Sequence, residues 1–127
     1  MRIATPFDPI EVGEIDNFVF DFTADMGATT MVSTSWTCQL APFQPKQIFD
    51  LAPASRVLSA APRMTVQVRA ASDGSLRTKT GFFSVASIGG MPASASGGTY
   101  VLEATVNLSD GRVLKLNSTV LCKLPGP

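Results

Sequence analysis

A chain of 127 residues has room for one domain of ordinary size, so a second domain of use is not expected. Ten basic and ten acidic residues cancel, and the basic ones are scattered singly, which disfavours binding to nucleic acid through phosphate neutralisation; the absence of histidine removes the commonest general base and metal ligand. Only 16% of residues are charged against 45% apolar, which leaves a surface rich in uncharged groups and suits a protein covered by neighbours.

Residues 1–14 carry Pro6, Pro9 and Gly13 without sustained periodicity and read as an extended arm. Ile3, Phe7, Ile10 and Val12 are apolar in a stretch with no evident strand partner, so they are expected to pack on a neighbouring subunit. From Phe18 the pattern changes: Phe18, Phe20 and Phe22 fall at every second position, which in a strand puts three aromatic rings on one core-facing side. Asp25-Met26-Gly27 signals a turn, and Met31 to Leu40 alternates again, with Val32, Thr34, Trp36, Cys38 and Leu40 on one side.

Pro42, Pro45, Pro53 and Pro62 make residues 41–62 a long connection, since a central strand does not carry prolines at that density. Within it, Gln47-Ile48-Phe49-Asp50-Leu51 and Val57-Leu58 fit a helical turn or a short edge strand equally well. Met64, Val66, Val68 and Ala70 alternate with polar or small residues, Asp73-Gly74 is a tight-turn dipeptide, and the next strand begins near Leu76 and stops at Gly89-Gly90 and Pro92. Met91 to Gly98 is a loop of small residues, where flexibility or close approach to a partner is expected. Tyr100, Leu102, Ala104 and Val106 then share one face, Ser109-Asp110-Gly111-Arg112 turns the chain at the surface, and Leu114, Leu116, Ser118, Val120, Cys122 and Leu124 line one face of the returning strand, which ends at Pro125 and Pro127.

Six or so strands and no helix-length stripe predict an antiparallel sandwich or small barrel, the sandwich being preferred. No transmembrane run of about 18–20 apolar residues occurs and Met1-Arg2-Ile3-Ala4-Thr5-Pro6 lacks the apolar stretch of an export signal, so cytosolic synthesis is expected. Cys38 and Cys122, in no metal-binding or redox spacing, are then expected as buried thiols. The sequence offers no catalytic set and no cofactor or metal site: Asp73 and Asp110 sit beside Gly in turns, where Asp bonds the backbone, and the acidic residues Glu11, Glu14, Asp16, Asp21 and Asp25 match no calcium loop. Gly89-Gly90 and Gly97-Gly98 lack the residues that follow in a phosphate loop.

Phe20-Asp21-Phe22, Ser35-Trp36-Thr37-Cys38 and the run from Gly98-Thr99-Tyr100 to Val106, leading into Ser109-Asp110-Gly111-Arg112, together resemble small immunoglobulin-like virion proteins of tailed bacteriophages, of the fibre-tail adaptor or head-tail neck type. The resemblance covers the first two strands and the final hairpin and departs from the family at the proline-rich stretch 41–62. It implies an all-β fold, an immunoglobulin-like antiparallel β-sandwich over residues 15–127 behind the arm of residues 1–14. It further implies a non-enzymatic virion protein, assembled in the host cytoplasm in many copies. Its partners are then connector, capsid, tail or fibre subunits, with neither nucleic acid nor membrane among them. The implied role is an adaptor or a neck or collar component, with capsid decoration or a carbohydrate-binding adhesion module as the alternatives.

Overall fold

The structure, a computed structural model, describes residues 2–3, 6–42, 50–69 and 72–124. In chain order the strands are β1 (Arg2–Ile3), β2 (Ile10–Glu11), β3 (Ile15–Asp21), β4 (Met31–Leu40), β5 (Val57–Arg69), β6 (Leu76–Gly89), β7 (Thr99–Leu108) and β8 (Val113–Lys123). One turn of helix, α1 (Thr23–Met26), and two 3-10 turns, Pro53–Arg56 and Ala93–Ala95, complete the described elements. The strands form two sheets: β4, β7 and β8 are joined along the outer edge of β8 by β1 and β2, and β3, β6 and β5 make the second sheet in that order. All pairings are antiparallel except those of β1 and β2, which run parallel to β8. The fold is therefore a two-layer β-sandwich, as the strand pattern predicts.

Alternation decides which side chains lie between the layers. Phe18 and Phe20 enter from β3 and Phe22 from just past its end, and Ala86 and Ile88 from β6 beside them. Opposite them stand Trp36 and Cys38 from β4, Tyr100, Leu102, Ala104 and Val106 from β7, and Leu116, Val120 and Cys122 from β8, all buried. The register pairs Ala104 with both Trp36 and Leu116, so the small residue of the central strand makes room for the large ones at its sides.

Several local departures have physical causes. A bulge between Met31 and Ser33 exchanges the faces at the start of β4, so Val32, expected inward, is 65% exposed and Met31 packs against the core instead. Asp25-Met26-Gly27, expected as a turn, ends α1, with Met26 fully buried. Pro62 lies inside β5, which among the described residues pairs only with β6; at the edge of a sheet a missing N–H is tolerated. Val57-Leu58 thus belongs to an edge strand, whereas Gln47-Ile48-Phe49, like Ala70, Ala71, Pro125 and Pro127, lies outside the described residues. The loop of small residues after β6 is no free flap: Met91, Ala95 and Gly98 are buried, and Cys122 N–H donates to the Gly98 carbonyl at 2.9 Å. Leu124 does not continue the inward face of β8 and is exposed.

The turn at Arg112 is more than a solvated corner. Arg112 Nη2 and Nη1 donate to the carbonyls of Met26 and Asp25 at 3.1 and 3.4 Å, and Nε to Asp110 at 2.8 Å, so the β7–β8 turn closes over the last carbonyls of α1. Gly89 is required for another reason: a Cβ there would fall on the Glu14 carbonyl oxygen and 2.7 Å from the Cα of Ile15, where β3 starts across from β6.

Leu102→Ala, in the fully buried central strand, is expected to lower unfolding free energy by roughly 2–5 kcal/mol, and Arg112→Ala by about 1 kcal/mol through its partly exposed hydrogen bonds. Urea titrations followed by circular dichroism measure both; equal losses would show that the turn is as critical as the core.

Candidate functional site

The residues expected to bind a neighbour lie against the chain's own sandwich. Arg2 and Ile3 stand opposite Leu116 and Asn117 in a parallel ladder, and Ile10 and Glu11 opposite Cys122 and Lys123. Between them Phe7 N–H donates to the Thr119 carbonyl at 3.0 Å, and Val12 N–H bonds Lys123 beyond. Ile10 is buried, Val12 is half-buried against the core, and the Phe7 ring meets Phe18 edge-on at 5.0 Å and Phe20 at 5.3 Å. The arm therefore has a strand partner in β8, which corrects the expectation that it lacked one. A parallel pairing across more than a hundred residues has no turn to announce it, which is why alternation alone misses it.

The sequence reading also missed a buried ionic cluster. Asp50 is 2% exposed, and both its oxygens are engaged: Arg56 Nε and Nη2 donate to Oδ2 and Oδ1 at 2.8 and 2.9 Å, the Tyr100 hydroxyl to Oδ2 at 2.6 Å, and the Ala52 N–H to Oδ1 at 2.9 Å. Arg56 Nη1 goes on to the Gly90 carbonyl at 2.9 Å. The cluster thus ties the segment before β5 to the central strand β7 and to the end of β6. Two signals for it were present: a tyrosine on a core face needs an acceptor for its hydroxyl, and Asp50 and Arg56 flank the proline of a tight turn.

The electrostatics follow from this geometry. The Arg56 guanidinium, aided by the Tyr100 hydroxyl, holds the Asp50 carboxyl down at about 2 despite burial. Burial first and the Asp50 hydrogen bond second raise the Tyr100 phenol well above its ordinary value. Burial, with the Asp50 charge nearby, pushes the Cys38 thiol up to about 12 and raises Cys122 in the same way. Both thiols are free and buried. Both Asp50 oxygens are filled by donors and the Tyr100 phenol is spent on one of them, so the cluster acts as a cross-link within the fold.

A second polar chain joins the sheets. The indole N–H of Trp36 donates to Ser84 Oγ at 2.6 Å, Ser84 and Thr34 share a hydroxyl hydrogen bond of 2.6 Å, and the Thr34 hydroxyl donates to the Thr105 carbonyl at 3.1 Å. Since Thr34 gives its proton to Thr105, Ser84 must donate to Thr34, and every bond in the series runs one way. Ser84, on β6, is fully buried, so the chain crosses between the layers.

Among the described residues, exposed apolar side chains are spread over the surface, and several stand on the long hairpin. Beyond the bulge between Arg63 and Thr65, the pairs from Thr65 and Thr80 to Arg69 and Leu76 have no third strand in their ladder among the described residues, because β3 pairs with β6 from Phe83 onward. Met64, Val68 and Leu76 are exposed on this two-stranded ribbon. At its base a groove of about 240 Å³ is lined by Thr30, Met31, Pro62, Arg63, Met64 and Phe82. Among the described residues no three metal-ligating side chains come together. Comparison with protein-family models, curated proteins and solved structures finds no match in any of the three.

Arg56→Ala is expected to cost roughly 3–5 kcal/mol, because it leaves the Asp50 charge buried beside a single hydroxyl and one N–H. Acid provides an independent check. Asp50 is depressed when folded, so its contribution is complete above the ordinary carboxyl value of about 4 and is lost as pH falls toward about 2. Melting temperatures followed from pH 5 to pH 2 are expected to fall more steeply for the wild type than for Asp50→Asn, starting near about pH 4; parallel curves would show that Asp50 is not depressed. Iodoacetamide at about pH 8 is expected to label neither cysteine in the folded protein and both after unfolding.

Proposed function

We propose that this chain is a non-enzymatic structural module that works by protein–protein association, and that its setting is the virion of a tailed bacteriophage, as an adaptor or a neck or collar component linking head or tail to fibres. The observation that carries the association reading is the ribbon. A two-stranded hairpin is marginal in water unless a third element covers it. Here five ladder pairs extend past the sandwich with Val68 and Leu76 exposed among them, which is the form of an element completed by a partner. The virion setting rests on the sequence resemblance.

The finer fold reading, immunoglobulin-like, is supported by connectivity. With β3 to β8 taken as strands B to G, one sheet has the order B-E-D and the other C-F-G, the arrangement of immunoglobulin sandwiches, and the arm runs beside G. Trp36 then lies buried on strand C, and Tyr100 near the start of strand F, the places of two hallmarks of that fold. Two features depart from it. Leu102 stands two residues after Tyr100, where a bridging cysteine is expected, and Phe20 packs 4.9 Å from the Trp36 ring; the tyrosine hydroxyl bonds a carboxylate rather than backbone. The burial of Trp36 and Tyr100 leaves a sugar-binding platform without its usual materials, which ranks an adhesion module below an assembly role.

Peptide mass spectrometry of gradient-purified particles tests this reading. The protein is expected in many copies per particle, and a variant with residues 65–80 replaced by a short turn is expected to keep its β-sheet spectrum but be lost from the particles. Recovery of the wild type only as soluble protein, with no particle containing it, overturns the assignment.

A further inference from the structure

The charges of this chain cancel in sum but not in place. Between residues 8 and 25 stand six acidic residues and no basic one; between residues 63 and 79 stand four basic residues and one acidic. The register of β6 sets these stretches apart. Ile15 and Asp16 stand opposite Gly89 and Ile88 at one end of the strand, and the ribbon ends at Leu76, opposite Arg69, at the other. The separation is about 40 Å at the rise of a β-strand. Asp21 is already paired with Lys79 at 3.1 Å near the base of the ribbon, and Arg77 faces Asp73 only loosely at 3.8 Å. At the far end Lys123 stands across from Glu11, and Arg56 is committed to Asp50, which leaves Asp8, Glu14 and Asp16 as excess negative charge.

That acidic end also contains a cleft. Phe7, Ile10, Asn17 and Phe18 help to line a cavity of about 160 Å³ between the arm and β3, together with the exposed residues Asp8, Glu14 and Asp16. A cleft with a negative rim complements a ribbon that carries exposed Val68 and Leu76 beside the exposed Arg77. One molecule cannot bring its own two halves together, because they occupy opposite ends of the same strand pair. A two-fold arrangement that set ribbon against ribbon would place like charges together.

We infer that copies of this chain associate head to tail, the β5–β6 ribbon of one seated on the cleft between the arm and β3 of the next. The inference rests on the association reading and names its partner as a second copy. A heterologous contact of this kind closes into a ring if the rotation between copies allows and otherwise extends into a filament.

Sedimentation of the full chain over a range of concentrations tests it. In low salt the average mass is expected to rise with concentration past that of a dimer, and to fall back in high salt, since screening shortens from about 30 Å at 0.01 M to about 10 Å at 0.1 M. Arg77→Glu and Asp16→Lys are each expected to weaken self-association by about tenfold or more, as reversal of an interfacial charge does. Their equimolar mixture is expected to regain it, because reversed ribbon meets reversed cleft and native meets native. Both positions are exposed, and Asp8→Lys replaces Asp16→Lys should the latter not fold. A wild type that stays monomeric, single variants that associate as before, or a mixture that does not recover each overturn the contact. A monomeric protein still found in particles would sink this contact and leave the proposed function standing; an associating protein absent from every particle would do the reverse.

Discussion

The carboxylate of Asp50 is the fixed point of this fold. It is inaccessible to water and ionised, and both conditions hold only because a guanidinium, a phenol and a backbone amide all donate to it. Removing any one donor leaves a buried charge short of partners, which costs far more than the bond was worth in water. Its role is positional. The chain leaves the larger sheet at Leu40 and must enter the smaller one at Val57, and the cluster fixes the last part of that crossing to Tyr100 in the central strand. The direction in which β5 sets out, and with it the aim of the ribbon, follows from that attachment.

The interior joins its two layers in two chemically distinct ways. Aromatic and aliphatic side chains fill most of the space, and their burial supplies the bulk of the driving force without specifying one alignment closely. The polar chain through Trp36, Ser84, Thr34 and the Thr105 carbonyl does specify it, because each of the three side chains has one proton to give and its acceptor must stand within hydrogen-bonding distance. Sliding one sheet over the other by a residue would leave these groups unsatisfied in an apolar setting.

Much of this was legible from residue order. Alternation located the faces of β3, β7 and β8 correctly, since Phe18, Phe20, Tyr100, Leu102, Leu116 and Val120 are all buried, and Asp73-Gly74 marked the longest hairpin. Period-two reasoning failed where a strand breaks its own period: the bulge after Met31 turned Val32 outward. It was silent where partners are remote and no turn links them, as with Ile10 against Cys122 or Asp50 against Tyr100. The hairpin is legible as such, but that β3 leaves β6 at Asp21 is a property of another strand, and no residue within the ribbon encodes it.

The position of the single tryptophan has an optical consequence. Trp36 is held by one sheet, bonded through its indole to a serine of the other, and stacked at a tilt on Phe20. Its emission is therefore sensitive to the gap between the layers and to little else. Parting the sheets admits water to the ring and breaks its bond to Ser84 at the same moment, so the chain carries an intrinsic gauge of its own sandwich, readable without any label.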